Sequence, residues 1–132
     1  MEKKLLKVLA VAAVLSAVVS CTKTNHSVYM TVYGTASAVQ IKYGQGQSLN
    51  DAMNKNVTTL NMPSTALPSL PWTSQTYTVD SSSASVFYLY ACNEGTSTPN
   101  ITIKIFDNGQ MVQQSNCSGL NCFCQSVDYV AN

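Results

Sequence analysis

The sequence predicts an all-β fold, an immunoglobulin-like antiparallel β-sandwich of seven or eight short strands. Three observations predict it. Apolar residues recur at a period of two along several runs, which places one face of each run against a core. Glycine, proline, asparagine and serine punctuate those runs at short intervals, as turns between antiparallel strands require. No stretch beyond the N-terminal segment carries the 3.6-residue apolar period of an amphipathic helix.

The elements follow in order. Val28, Met30 and Val32 alternate with Tyr29, Thr31 and Tyr33 and stop at Gly34, the pattern of a half-buried first strand. Val39, Ile41 and Tyr43 repeat it before Gly44 and Gly46, which are expected to break the strand in a turn. The polar residues 45–56 form a loop or one helical turn, and residues 57–62 form a short edge strand ending at Pro63. Pro63, Pro68 and Pro71 lack the backbone donor a sheet ladder needs, so this stretch crosses between sheets or lies on an edge. Trp72 closes that crossing, begins the next strand and is expected in the core.

Residues 76–79 alternate again, and Ser81, Ser82 and Ser83 make a turn. Residues 86–92 are dense in apolar side chains, as a central strand should be, with Phe87, Leu89 and Ala91 as core positions. Beyond a loop at 94–100, Ile101, Ile103 and Ile105 point one way and Thr102, Lys104 and Phe106 the other. Asp107-Asn108-Gly109 is a hairpin turn, because Asn-Gly tolerates the positive φ that two-residue hairpins need. Residues 111–114 return, and residues 120–130 make the last strand.

The N-terminal segment has a different character. Lys3, Lys4 and Lys7 precede an apolar run from residue 8 to 19 broken only by Ser16. That run is short for a bilayer span, which takes about 20 apolar residues, and matches the apolar region of a signal peptide. Val18-Val19-Ser20-Cys21 follows and resembles a bacterial lipobox, whose cysteine receives diacylglycerol before cleavage. Residues 1–20 are thus expected to be a lipoprotein signal peptide, residues 21–27 the lipidated Cys21 and a polar tether, and residues 28–132 the β-sandwich domain. Thr22 after the cysteine, rather than an aspartate, points to the outer membrane, and the lack of acids from 22 to 27 points to its periplasmic side.

Charge narrows the function. Only 10% of the 132 residues are charged, and all seven cations are lysines. Without arginine there is no guanidinium to fork onto phosphate or stack on bases, so nucleic acid is not an expected partner. Beyond the signal peptide, Lys23, Lys42, Lys55 and Lys104 face Asp51, Asp80, Glu94, Asp107 and Asp128, one acid in excess. Catalysis is not expected either. The lone histidine, His26, sits in the tether with no evident partner, the acids are scattered, and no Gly-x-Ser-x-Gly elbow is present. No cofactor is implied, and Gly44-x-Gly46 lacks the context of a phosphate loop.

Setting Cys21 aside leaves Cys92, Cys117, Cys122 and Cys124, an even number that reads as two disulfides in an oxidising compartment. Cys122 and Cys124 stand two apart in an extended run and share a face, so they take different partners. The preferred pairing is Cys117 with Cys122 across a short loop and Cys92 with Cys124 between strands. Metal binding by this cluster is not expected, since the only histidine lies in the tether. Tyr29, Tyr33, Tyr88 and Tyr90 fall on alternate positions of two strands and are candidates for an exposed binding surface.

An ordered set of motifs resembles a known family. Tyr33-Gly34-Thr35-Ala36, Val39-x-Ile41-x-Tyr43, Leu70-Pro71-Trp72, Val86-x-x-Leu89-x-Ala91 and Ile103-x-Ile105 with Asp107-Asn108-Gly109 look like the soluble domain of the mycobacterial membrane protein small (MmpS) family and its lipoprotein relatives. The resemblance implies an envelope-anchored, non-enzymatic sandwich that assists an RND-type exporter, with Leu70, Pro71 and Trp72 closing the core. The chain departs from that pattern in carrying a lipid in place of a transmembrane helix, and in the cluster of Cys117, Cys122 and Cys124. The alternative is a lipoprotein that binds glycan or a host ligand through its tyrosines.

Overall fold

A computed structural model describes residues 25–65, 69–80 and 82–130. Cys21, the signal peptide and Pro68 lie outside the described residues. The described chain is all-β. Its strands are β1 (His26–Gly34), β2 (Val39–Gly46), β3 (Thr58–Met62), β4 (Trp72–Thr73), β5 (Tyr77–Val79), β6 (Ser85–Asn93), β7 (Asn100–Asp107), β8 (Gln110–Ser118) and β9 (Phe123–Val130). The fragments β4 and β5 both pair with β1, at opposite ends of it, which brings the strands among the described residues to nine.

Two antiparallel sheets make the sandwich. The first runs β4-β1-β7-β8, with β5 also on β1, and the second runs β3-β2-β6-β9. The connectivity repeats itself with the sheets exchanged. In the first half β1 pairs with β4 and β5 while the β2–β3 hairpin lies in the other sheet; in the second, β6 pairs with β9 while the β7–β8 hairpin lies in the other sheet. The β1–β7 and β2–β6 pairings join the halves.

Register decides which side chains meet. Met30 stands opposite Ile105 and Val32 opposite Ile103, so these residues share the inner face of the first sheet. Phe87, Leu89, Ala91, Val39 and Ile41 supply the inner face of the second, and all nine are at most 1% exposed. Each large side chain removed from water in this way contributes on the order of 2 kcal/mol. Trp72 joins this core at 6% exposure, its ring 4.9 Å from that of Tyr43, with Leu70 packed alongside.

Two local expectations need correcting. Gly44 and Gly46 do not break β2, which continues through both and pairs them with Tyr88 and Val86. They instead let a short π-helical turn, Asp51–Lys55, lie flat on the strand. A Cβ added to Gly44 would stand 2.1 Å from the Ala52 carbonyl oxygen, so only glycine permits that approach. The return strand β8 is also longer than its apolar content indicates and carries Cys117 within it. At the hairpin between β7 and β8, Asn108 and Gly109 adopt φ of 49° and 80°, as Asp-Asn-Gly predicts.

Candidate functional site

The two ends of the sandwich are closed differently, and the first is where β1 begins at His26. His26 and Val28 alternate on the inner face of β1, and Asp107 stands directly opposite Val28. The His26 Nδ1 and Asp107 Oδ2 atoms are 2.7 Å apart. Sequence reasoning gave His26 no partner; the structure corrects this, because antiparallel pairing of β1 with β7 unites residues 81 positions apart. From the second sheet Asp128, opposite Phe87 and so inward-facing, approaches the pair. Burial, reinforced by the Asp107 charge and partly offset by His26, holds the Asp128 carboxyl above the usual carboxylate range. The hairpin tip clasps the entering chain: Ser27 N donates to Asn108 Oδ1 at 2.9 Å, and Asn108 N donates to the Ser27 carbonyl at 2.9 Å.

The other end, farthest from that entry, carries the cysteines. Cys117 stands opposite Ile101 on β8, and Cys124 opposite Ala91 on β9, so both face inward from different sheets. Cys122 lies in the corner between them, where Asn93 N donates to its carbonyl at 3.0 Å. The Asn93 Nδ2 also donates to the Leu120 carbonyl at 2.6 Å, fixing the corner in place. Cys117 packs against the core cluster that contains Cys122 and Cys124. Cys122 and Cys124 are buried while Cys117 is half-buried. Burial first, then the neighbouring thiols, pushes Cys117 up, and burial likewise raises Cys124.

The expected disulfides are not formed; Cys92, Cys117, Cys122 and Cys124 are free thiols. The pairing of Cys92 with Cys124 is ruled out by register. Cys92 stands opposite Phe123 and Cys124 opposite Ala91, and alternation puts neighbouring positions on opposite faces of a sheet. On its outer face Cys92 donates to Glu94 Oε1 at 3.2 Å and meets the Tyr90 hydroxyl, a contact that with burial pushes Tyr90 up to about 12. Among the described residues no group of three or more His, Cys, Asp or Glu is arranged to hold a metal ion.

The four tyrosines do not form one surface. Tyr29 and Tyr33 lie on the outer face of the first sheet, whereas Tyr88 and Tyr90 lie on the outer face of the second, on the opposite side of the molecule. Tyr29 stacks on Phe106 with ring centroids 4.8 Å apart, and Tyr88 is buried under the Asp51–Lys55 turn. Tyr33 remains exposed beside Lys104, whose Nζ is 5.5 Å from the ring centroid. On the second sheet Lys42 Nζ stands 5.6 Å from the Tyr90 centroid, and Phe123 stacks beside Tyr90 at 6.2 Å. Phe123 is 61% exposed. Sequence reasoning singled out only tyrosines for a surface and passed over Phe123; the alternation Phe123-Cys124 was the available signal that it points outward.

No protein-family model matches the sequence, and a search of curated proteins finds no match.

Proposed function

We propose that the chain is a small lipid-anchored protein of the bacterial envelope, held to the periplasmic side of the outer membrane through Cys21. In this reading its sandwich is a non-catalytic accessory module for another envelope protein. The observation that carries the reading is the group on the second sheet in which exposed Phe123 stands beside half-buried Tyr90 and Lys42. A large aromatic left 61% exposed and stacked on a second ring is the residue type enriched at interface centres, and it is costly to leave in water. Phe123 also opens β9 at the end away from His26, so a chain tethered at its N-terminus presents this group away from the membrane. The motif resemblance to MmpS proteins supports an RND-type exporter as the partner class.

Site-specific photo-crosslinking tests the proposal. A crosslinking phenylalanine analogue at position 123 should capture an exporter subunit in intact cells, while the same analogue at Tyr33 should not. Equal yields from both sites, or none from position 123 in cells that express the exporter, would reject it. The second reading, glycan binding, is favoured by the pairing of exposed Tyr33 with Lys104, since a sugar ring stacks on such a face. A glycan-array signal lost in Tyr33→Ser and retained in Phe123→Ser would select that reading instead.

A further inference from the structure

We infer that Cys117 is the common sulfur of two mutually exclusive disulfides, one to Cys122 and one to Cys124, so that the β8–β9 corner holds one bridge and one thiol and exists in two covalent forms.

Three observations meet in this inference. Cys117 and Cys124 face inward from different sheets at the same end of the sandwich, with Cys122 in the connecting corner, and Cys117 packs against the core cluster that contains both of the others. Cys124 lies in β9 and Cys122 just before it, and positions two apart along an extending chain send their side chains out in parallel rather than toward each other, which disfavours a bridge between them. Of the three, only Cys117 is half-exposed, so an oxidant from solvent meets it first. Cys92 is on the other face of the sheet and takes no part.

The chemistry balances with an external disulfide, RSSR, as oxidant. The Cys117 thiolate attacks one sulfur of RSSR, the S–S bond breaks, RS⁻ leaves and a mixed disulfide, Cys117–S–SR, remains. The thiolate of Cys122 or Cys124 then attacks the Cys117 sulfur and expels the second RS⁻. The two protons from the cysteine thiols end on the two RSH molecules. Exchange needs no further oxidant: the remaining thiolate attacks Cys117, the old bond breaks, and the departing sulfur takes up the proton. Because burial disfavours the thiolate forms of Cys117 and Cys124, their reactions are slow at neutral pH and accelerate about tenfold for each pH unit as the thiolate fraction grows.

The corner's geometry does not depend on where the protein resides, so the inference is tested with the full chain oxidised in vitro by glutathione disulfide. Its failure is therefore distinct from failure of the envelope reading. After alkylation of free thiols, chymotrypsin cutting at Leu120, Phe123 and Tyr129 separates the three cysteines into three peptides. The expected products are a peptide carrying Cys117 linked to that of Cys122 and the same peptide linked to that of Cys124. Cys124→Ser should convert all bridged protein to the first form and Cys122→Ser all of it to the second, while Cys117→Ser should leave both remaining thiols alkylated. A Cys122–Cys124 link, a link to Cys92, one equivalent of bound zinc, or a serine variant of one partner that stays unbridged would each overturn the inference. Circular dichroism of the variants confirms that any loss of bridging occurs in folded protein.

Discussion

The two ends of the sandwich solve one problem with different chemistry. Each must close the gap where two sheets run out of apolar residues, and each does so with inward-facing side chains from both sheets. At the His26 end these are His26 and Asp107 against Asp128; at the far end they are Cys117 against Cys124, with Cys122 in the corner. The first closure is electrostatic and responds to pH. The second is made of weakly polar thiols that behave as small hydrophobes until oxidised, and it responds to redox conditions. At the end where β1 begins, charge and hydrogen bonds clasp the entering strand; at the other end, sulfur and a tryptophan seal the core.

The largest effect expected is at the far end. Trp72, paired with Val32 near the end of β1 and 6% exposed, fills the core beside Tyr43. Trp72→Ala should cost about 3–5 kcal/mol in urea denaturation, and Trp72→Phe much less. A native indole emission that is red-shifted and freely quenched by iodide would contradict the placement.

Next in size is the covalent contribution. Reducing the oxidised protein should lower its stability by about 2–3 kcal/mol, the value for a short closed loop. The same reductant should leave Cys117→Ser unaffected, which assigns the effect to the far end alone.

At the His26 end the expected change is smaller and opposite in sign. A carboxyl raised by burial favours folding in its neutral form, so Asp128 contributes most at acid pH and its contribution is lost as pH rises through the folded value. Asp128→Asn should therefore stabilise the protein at about pH 7 by roughly 1 kcal/mol and flatten stability toward about pH 4. A destabilised variant at neutral pH would mean that the ionised carboxylate has a structural partner.

The smallest effects belong to the outer faces. Lys42→Ala and Lys104→Ala each remove a cation from beside a tyrosine ring and should cost less than about 1 kcal/mol in thermal unfolding. Phe123→Ser, at an exposed site, should change stability by no more than about 0.5 kcal/mol. That margin separates its effect on partner capture from misfolding.

By itself the sequence determined the sandwich, because alternation is local. Val28, Met30 and Val32, or Ile101, Ile103 and Ile105, sort to one face through the two-residue period of any extended chain, and Asn108-Gly109 sets its hairpin through backbone sterics. The central position of β6 was equally visible in its apolar density. What tertiary structure decided was which strands are neighbours and which outer face each presents. Tyr29 and Tyr88 show the same alternation, yet β1 and β6 belong to different sheets, so tyrosines that look equivalent along the chain end on opposite sides of the molecule. Gly44 reads as a turn until the Asp51–Lys55 segment is known to rest against it. The meeting of His26 with Asp107, like the separation of Cys92 from Cys124, depends on strand register, which long-range packing of the apolar faces imposes and no local pattern encodes.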